Sequence, residues 1–177
     1  MDSSHAVHGV LLEMHGFGVL LRGESGIGKS ECALDLISKG HRLVADDVVE
    51  MVQIRGRLIG HAPELISGIL EIRGLGIVNV RELFGVSAVC DRLVVDLCIE
   101  LIKWANVAEI NRIGLEMQEE MIGDIALPKF VLPVSSGRNL STLVETAVRI
   151  FMLRNAGVNA AQTLIQKHTG LLNDGKE

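Results

Sequence analysis

The chain has 177 residues and a formal net charge of −5, from 17 basic and 22 acidic side chains. This balance gives no general attraction for nucleic acid or for anionic lipid. Hydrophobic residues make up 48% of the chain, which excludes disorder and supplies a substantial core. Aromatic residues are only 3%, so a base-stacking surface is nearly excluded. We expect one α/β domain over residues 1–177 that binds neither nucleic acid nor membrane.

Cysteine use and the chain start indicate a cytoplasmic protein. Cys32, Cys90 and Cys98 are too few and too scattered for a disulfide framework, which predicts reduced thiols. The spacing of the cysteines and histidines suggests no zinc site. The first residues lack the basic and apolar segments of a signal peptide. The longest apolar stretch, residues 93–104, contains charged side chains and is too short to span a bilayer.

In the first half of the chain, short apolar runs alternate with glycine-containing turns. VLLEM and FGVLL, joined by His15-Gly16, predict a hairpin that leads into the segment RGESGIGKS. Apolar residues at helical spacing over residues 33–37 predict a helix that stops at Gly40. RLVA, VVEMVQI, RLIGH and GILEI predict further strands, with Arg55-Gly56 as a hairpin tip.

The second half ends in helices. RLVVDLCIELIKW fits a long strand or a helix, and its alternating apolar residues favour the strand; FVLPV predicts a late strand. Residues 139–157 predict an amphipathic helix, with Asn139 or Ser141 as the cap and Gly157 as the stop. A shorter helix, AAQTLIQKH, follows. The order predicts an α/β domain without regular βαβ alternation.

The most specific motif is a full match to GxxxxGK[ST] between the FGVLL strand and the following helix. In such a loop, backbone N–H groups surround phosphate oxygens at a helix N-terminus. The alternative interpretation is a Gly-rich turn that ends in Lys-Ser by chance. If the loop binds a nucleotide, we expect Lys29 to bridge the β- and γ-phosphates and Ser30 to bind Mg²⁺. The predicted nucleotide-binding residues are Gly23, Glu24, Ser25, Gly26, Ile27, Gly28, Lys29 and Ser30.

Two acidic segments could complete the chemistry. Asp46 and Asp47 end the RLVA strand; if the chain bends there, one carboxylate could hold metal while the other takes a proton. The alternative is a polar turn. Glu71 and Arg73 lie two residues apart on a predicted strand face, where they suit Mg²⁺ and phosphate oxygens. Taken alone, this pair also fits a surface ion pair.

Three further polar residues have no assignment from pattern alone. His8 precedes the first hairpin, where a histidine is more often structural than catalytic. Arg112 and Arg138 lie beside turns, and composition does not separate them from ordinary surface charge.

Taken together, these segments resemble the catalytic domain of HPr kinase/phosphorylase, a bacterial enzyme of phosphotransferase-system regulation. The resemblance runs from His8 to Asn139 in the family's order. The matching segments are VHGVLLE, GESGIGKSECALDLISKGHRLVADD, LEIRGLGIVNVRELFG, NRIGLE and the PV and GRN stretches of residues 133–139. This resemblance implies a nucleotide-binding fold with a mixed, strand-rich sheet and C-terminal helices, similar to that of phosphoenolpyruvate carboxykinase.

The resemblance also implies roles for individual residues. Lys29 would be catalytic, and Ser30 and Glu71 would bind Mg²⁺. Asp47 would be the acid/base, while His8 and Arg112 match the remaining active-site positions. Residues 71–80 would form the signature needed for both reactions, and residues 133–138 match the segment associated with dephosphorylation.

The implied activity is bifunctional and needs ATP and Mg²⁺. The forward reaction phosphorylates a serine of the phosphocarrier HPr or a related carrier. In the reverse reaction phosphate attacks the phosphoserine and releases pyrophosphate. The family resemblance further implies a homo-hexamer.

Two features depart from the family pattern. The family's usual N-terminal domain is absent, so we expect either an excised catalytic domain or a naturally short form. Residues 133–138 read PVSSGR, without the family's usual basic residue and proline before the glycine. We expect this change to weaken the phosphorylase direction relative to the kinase direction.

Two other functions stay open at this point. A small-molecule kinase or an enzyme resembling phosphoenolpyruvate carboxykinase would use the same loop on a metabolite, without a protein partner. A regulatory module without catalysis would bind ATP but show no turnover. The joint presence of Lys29, Ser30, Asp47, Glu71 and Arg112 argues against the regulatory module.

Overall fold

The computed structural model describes residues 4–106 and 115–174. Its first half contains six strands and one helix, in the order β1 (Ser4–His8), β2 (Val10–Met14), β3 (Phe17–Gly23), α1 (Lys29–Ser38), β4 (Arg42–Ala45), β5 (Val48–Ile54) and β6 (Arg57–His61). The remainder contains β7 (Ile69–Ile72), β8 (Gly76–Asn79), α2 (Val80–Phe84), β9 (Arg92–Lys103), β10 (Gln118–Ile122), β11 (Ile125–Val134), α3 (Leu140–Asn155) and α4 (Ala160–Asp174).

Nine of these strands form one mixed sheet around β9. The main path runs β1-β5-β6-β9-β3-β2-β4. β9 pairs in parallel with both β3 and β11, and antiparallel with β6. At 12 residues, β9 is long enough to hold all three neighbours. A separate hairpin of β7 and β8 lies outside the sheet.

The two faces of the sheet bury two apolar clusters. On β3, Val19 and Leu21 belong to one cluster and Leu20 to the other, because side chains alternate across a strand. The larger cluster packs the sheet against α1 and α3, with Leu36 and Phe151 among its members. Helix α1 is thereby anchored by its buried face, which fixes the position of the loop that precedes it.

The chain-order predictions for the first half are confirmed. β2 and β3 form a hairpin whose turn residues His15 and Gly16 both have positive φ, at 52° and 86°, as a type I′ turn requires. The second predicted tip, Arg55-Gly56, has the same form, at 50° and 76°. RLVVDLCIELIKW is a strand over almost its whole length.

The C-terminal half shows both agreements and differences. Asn139 caps α3 by accepting a hydrogen bond from the Thr142 amide at 3.0 Å, which decides between the two predicted caps. Helix α4 extends to Asp174 and is longer than predicted. The sequence patterns did not indicate α2 or β10. No helix in residues 4–106 and 115–174 is long and apolar enough to cross a membrane.

Gly18 permits β3 to pack closely against β9. A Cβ at this position would lie 1.9 Å from the Val94 carbonyl oxygen, and the Gly18 amide donates to Asp96 Oδ2 at 2.9 Å. Because the obstacle is backbone, Gly18→Ala requires the two strands to separate. We expect a loss of about 1–3 kcal/mol or more in the free energy of unfolding, measured by chemical denaturation.

Gly170 offers a matched control. It lies in α4, and within the described part of the chain no atom would come within 4 Å of a Cβ at this position. Gly170→Ala should leave stability unchanged or raise it by up to about 1 kcal/mol, because alanine favours helix. Equal effects of the two substitutions would contradict the close strand packing.

Candidate functional site

The glycine-rich loop connects β3 to the N-terminus of α1. Gly26 and Gly28 have φ values of 82° and 106°, which L-residues rarely adopt. Gly28 is the residue before the helix, and its carbonyl accepts the first helical hydrogen bond, from the Cys32 amide at 3.0 Å. Lys29 Nζ donates to the carbonyl oxygens of Gly23 and Glu24 at 2.7 and 3.0 Å. The loop therefore presents a helix N-terminus and an ammonium group to the same cavity.

The chain bends sharply after β4, between the two adjacent aspartates. Asp47 has a φ of 68°, and the Val48 amide donates to the Asp46 carbonyl oxygen at 2.8 Å. A continuing strand would have turned the two side chains to opposite faces. The bend instead brings both side chains to the wall of one cavity. The sequence analysis required a bend at this point for both carboxylates to reach one site, and the chain bends there.

Asp46 joins three segments at the base of the cavity. Its Oδ1 accepts a hydrogen bond from the Ser30 hydroxyl at 3.0 Å, and its Oδ2 accepts one from the Glu71 amide at 3.2 Å. The residue is buried, and burial raises the pKa of its carboxyl group while these hydrogen bonds oppose the rise. In the described residues, no cationic side chain pairs with it.

This geometry fits a bound divalent cation. A desolvated carboxylate without a cationic partner attracts positive charge strongly. The hydroxyl of Ser30 and the carboxylate of Glu71 line the same cavity as Asp46. Oxygen donors of this kind are the ligands that Mg²⁺ prefers. Asp46 is therefore a candidate metal ligand beside the two predicted ones, although the sequence did not assign it a definite role.

Asp47 lies closer to solvent, beside His8. The Asp47 carboxylate is 3.8 Å from His8 Nδ1, and both side chains are largely exposed. The Gly9 amide donates to the Asp47 carbonyl oxygen at 3.0 Å, which ties the link between β1 and β2 to the bend. An exposed carboxylate held at the cavity mouth is accessible to an incoming hydroxyl group.

The cavity has a volume of about 660 Å³ and brings together most of the residues predicted from sequence. Those on its wall are His8, Gly23, Ser25, Gly26, Gly28, Lys29, Ser30, Asp47 and Glu71. Two loop residues point elsewhere: Glu24 pairs with Lys103 at 2.8 Å, and Ile27 packs on the larger apolar cluster. Arg112 lies outside the described residues.

Arg73 also lines the cavity, but the prediction that it shares a strand face with Glu71 is wrong. β7 ends at Ile72, so Arg73 belongs to the turn beyond it and does not share a strand face with Glu71. The positive φ of Gly74, at 88°, makes that turn possible. The turn still places Arg73 at the cavity, where its guanidinium group is a candidate for binding phosphate oxygens.

Residues 134–139 form one wall of a second cavity, against the start of α1. Ser135 and Ser136 line it together with Glu31 and Asp35. Arg138 donates to the Pro133 carbonyl oxygen at 3.4 Å and lies over the Trp104 ring at 5.2 Å. The segment that departs from the family pattern is therefore adjacent to the glycine-rich loop, since Gly28 lines both cavities.

A helix N-terminus, a lysine, an arginine and carboxylates around one cavity are the parts that phosphoryl transfer requires. The site and the strand-rich α/β fold thus define a candidate phosphotransferase domain. Comparison with known proteins makes the assignment specific. The family model described as HPr Serine kinase C-terminal domain matches residues 1–168, and the chain belongs to that family.

Individual relatives support the same assignment. HPr kinase/phosphorylase from Geobacillus thermodenitrificans is 48% identical over 172 residues, covering 97% of this chain and 56% of the relative. The protein of that name from Bacillus subtilis is 45% identical over 173 residues, with coverages of 97% and 56%. The chain spans about half the length of the curated relatives it matches.

A solved structure shows the same fold. The Hpr(Ser) kinase/phosphatase from Coxiella burnetii superposes with a TM-score of 0.83 at 37% sequence identity. The match covers 90% of this chain and 98% of that one. The mixed, strand-rich α/β fold expected from the sequence is therefore confirmed.

The backbone shape of the glycine-rich loop generates a prediction for phosphate binding. An alanine held at a positive φ is strained by about 1–2 kcal/mol of conformational free energy. In Gly26→Ala the loop can relieve this strain only by changing its backbone shape, which turns amides away from the cavity. We expect this variant to bind inorganic pyrophosphate several-fold more weakly, as measured by calorimetry.

Gly40→Ala provides the matched control because Gly40 also has a positive φ, 100°, but lies beyond the far end of α1. It should lose comparable stability and keep the pyrophosphate affinity of the unaltered protein. If Gly26→Ala bound pyrophosphate normally, the loop would not be the phosphate site.

Proposed function

We propose that this chain is an ATP- and Mg²⁺-dependent kinase that phosphorylates a serine of the phosphocarrier HPr or a related carrier, and that it also catalyses the phosphorolytic reverse reaction. The names of its relatives, HPr kinase/phosphorylase, support the carrier and both directions. The single structural observation that carries the proposal is the cavity shared by the glycine-rich loop and the bend at Asp46-Asp47.

The glycine-rich loop and α1 form a phosphate-binding loop in this proposal. Backbone amides of residues 23–30 and the N-terminus of α1 would hold the phosphates of ATP. Lys29 now binds loop carbonyl oxygens, so its ammonium group needs only to exchange these for phosphate oxygens. Arg73, which lines the same cavity, would bind the transferred group.

Ser30, Asp46 and Glu71 would hold Mg²⁺, directly or through its water shell. When bound, Mg²⁺ neutralises phosphate charge and orients the γ-phosphoryl group for transfer. The hydrogen bond between Ser30 and Asp46 positions the hydroxyl beside the carboxylate before any cation arrives.

Asp47 would act as the acid/base at the cavity mouth. In the forward direction its carboxylate takes the proton from the carrier's serine hydroxyl as the oxygen attacks phosphorus. In the reverse direction the protonated carboxyl group returns a proton to the leaving serine oxygen, while inorganic phosphate attacks and pyrophosphate forms. His8, 3.8 Å away, would orient the carboxylate. Arg112 is proposed as a further active-site residue on the family resemblance alone.

The second cavity supports the phosphorolytic direction. Its wall contains Ser135 and Ser136 and adjoins the glycine-rich loop at Gly28, where an attacking phosphate could enter. Serine hydroxyls bind phosphate without contributing positive charge. We therefore propose that the phosphorylase direction is the slower of the two in this chain.

The alternatives are less well supported. A metabolite kinase would not explain why relatives named for a protein substrate match 97% of this chain. A regulator without catalysis would not need an exposed carboxylate at the mouth of a phosphate cavity.

The assembly and location proposed are a homo-hexamer in the cytoplasm. Exposed apolar side chains around α2, such as Leu83 at 61% and Val86 at 80% exposure, support self-association. Free thiols at Cys32, Cys90 and Cys98 fit a reducing compartment.

The proposal can be tested by measuring transfer of the labelled γ-phosphoryl group from ATP to purified HPr in the presence of Mg²⁺, followed by addition of inorganic phosphate. The proposal expects label on a carrier serine and its release as pyrophosphate. Asp47→Asn should reduce transfer about 10²- to 10⁴-fold, the range associated with loss of a general base, without weakening ATP binding.

Asp124→Asn is the matched control, because Asp124 is an exposed carboxylate in the turn between β10 and β11. It should transfer label at the normal rate. Full activity of Asp47→Asn would overturn the assigned role. Bound ATP without any label on HPr would favour one of the alternatives.

A further inference from the structure

Away from the phosphate cavity, the fold brings two histidines and a glutamate together from three different elements. His15 is in the turn between β2 and β3, His41 immediately precedes β4, and Glu145 lies in the second turn of α3. Nothing in their sequence spacing indicated a metal site. In the described residues, this is the one group of three or more such side chains whose ligand atoms all lie within 4.8 Å of one another.

The distances between these ligand atoms are close to those of a coordination sphere. His15 Nε2 is 3.8 Å and His41 Nε2 is 3.6 Å from the same oxygen, Oε1 of Glu145. Ligands bound at about 2.1 Å to a tetrahedral ion are about 3.4 Å apart. The two distances to the carboxylate oxygen are thus within a few tenths of an ångström of this value, and the ligand atoms of all three residues lie within 4.8 Å of one another.

The pKa shifts of His41 and Glu145 are compatible with the geometry of a metal site. Burial and the nearby His15 ring lower the pKa of His41, so its ring is neutral at pH 7 and can offer a lone pair. Partial burial opposes ionisation of Glu145, but Arg149 and His41 hold the pKa of its carboxyl group below the usual value. For these two residues, the direction of the pKa shift favours the unprotonated form that a metal ion binds.

The surrounding charges do not block the position. Arg149 donates to Glu145 at 3.2 Å, but its side chain is 61% exposed and a carboxylate has room for both a metal and a hydrogen bond. Glu13 accepts a hydrogen bond from the Gly16 amide at 2.9 Å, which fixes the turn that carries His15. The two imidazole rings meet edge to face at 5.0 Å, and the Nε2 atoms of both rings lie near the same oxygen of Glu145.

We propose that His15, His41 and Glu145 form a second metal site, one that takes a divalent transition metal of the Zn²⁺ or Co²⁺ class. Imidazole nitrogens select such ions over Mg²⁺, whereas the oxygen-lined phosphate cavity selects Mg²⁺. Three protein ligands leave a fourth position for water. The bound ion would join the β2–β3 hairpin, the start of β4 and α3, and would stabilise the end of the domain remote from the glycine-rich loop.

The test is a titration of the metal-free full chain with Co²⁺, in the presence of millimolar Mg²⁺ to occupy oxygen-lined sites. Tetrahedral Co²⁺ gives visible absorption bands, which report the site directly and independently of activity. We expect one Co²⁺ per chain, displacement of the bands by Zn²⁺, and a higher melting temperature with either ion.

His15→Asn is the informative variant because asparagine tolerates the positive φ of this turn. It should melt like the unaltered protein without metal and bind Co²⁺ at least roughly tenfold more weakly. Glu145→Gln should show the same loss of affinity. This second variant separates loss of a ligand from any effect on the turn.

His61→Asn is the matched control, since His61 lies 3.5 Å from a carboxylate oxygen of Glu50 but belongs to no three-ligand group among the residues that the structure describes. It should keep both the absorption bands and the affinity. Absence of tetrahedral bands in the unaltered protein would overturn the proposal. So would bands that persist in His15→Asn, or an equal loss in all three variants.

Discussion

The arrangement of the candidate active site depends on the buried carboxylate of Asp46. Its two oxygens connect the Ser30 hydroxyl at the start of α1 to the Glu71 amide of the β7–β8 hairpin. These contacts fix the glycine-rich loop relative to the end of β4 and to a hairpin that lies outside the main sheet. Burial makes the ionised group costly, and a bound cation would remove that cost. The residue that organises the site is therefore also the strongest candidate for holding the proposed metal ion.

The bend after Asp46 gives the adjacent carboxylate a different environment. Asp47 is exposed at the cavity mouth, where the proposed substrate hydroxyl would approach, while Asp46 is enclosed beside Ser30. Two identical side chains can thus take different chemical roles because one is desolvated and the other is not. This division fits a reversible phosphoryl transfer, in which metal binding and proton transfer must occur on either side of the same phosphoryl group.

Local patterns predicted much of this fold. Positive φ at His15 and Arg55 was foreseeable because each precedes a glycine between two apolar runs. The glycine-rich loop was evident from a motif whose residues are adjacent in sequence. By contrast, the separate environments of Asp46 and Asp47 follow from a bend and from tertiary burial, which no spacing reveals. The grouping of His15, His41 and Glu145 is also tertiary, because it depends on how α3 packs on the sheet. The roles that the family resemblance implies for individual residues, those of Lys29, Ser30, Asp47 and Glu71 as well as those of His8 and Arg112, stay predictions.

The most direct test of this account is the affinity of the Asp46→Asn variant for Mg²⁺–ATP, measured by calorimetry beside that of Asp47→Asn. If Asp46 is the enclosed metal-side carboxylate, its variant should bind Mg²⁺–ATP at least roughly tenfold more weakly, a loss of about 1.4 kcal/mol. Binding by Asp47→Asn should not be weakened. Equal affinities of the two variants would contradict the division of roles between the adjacent aspartates.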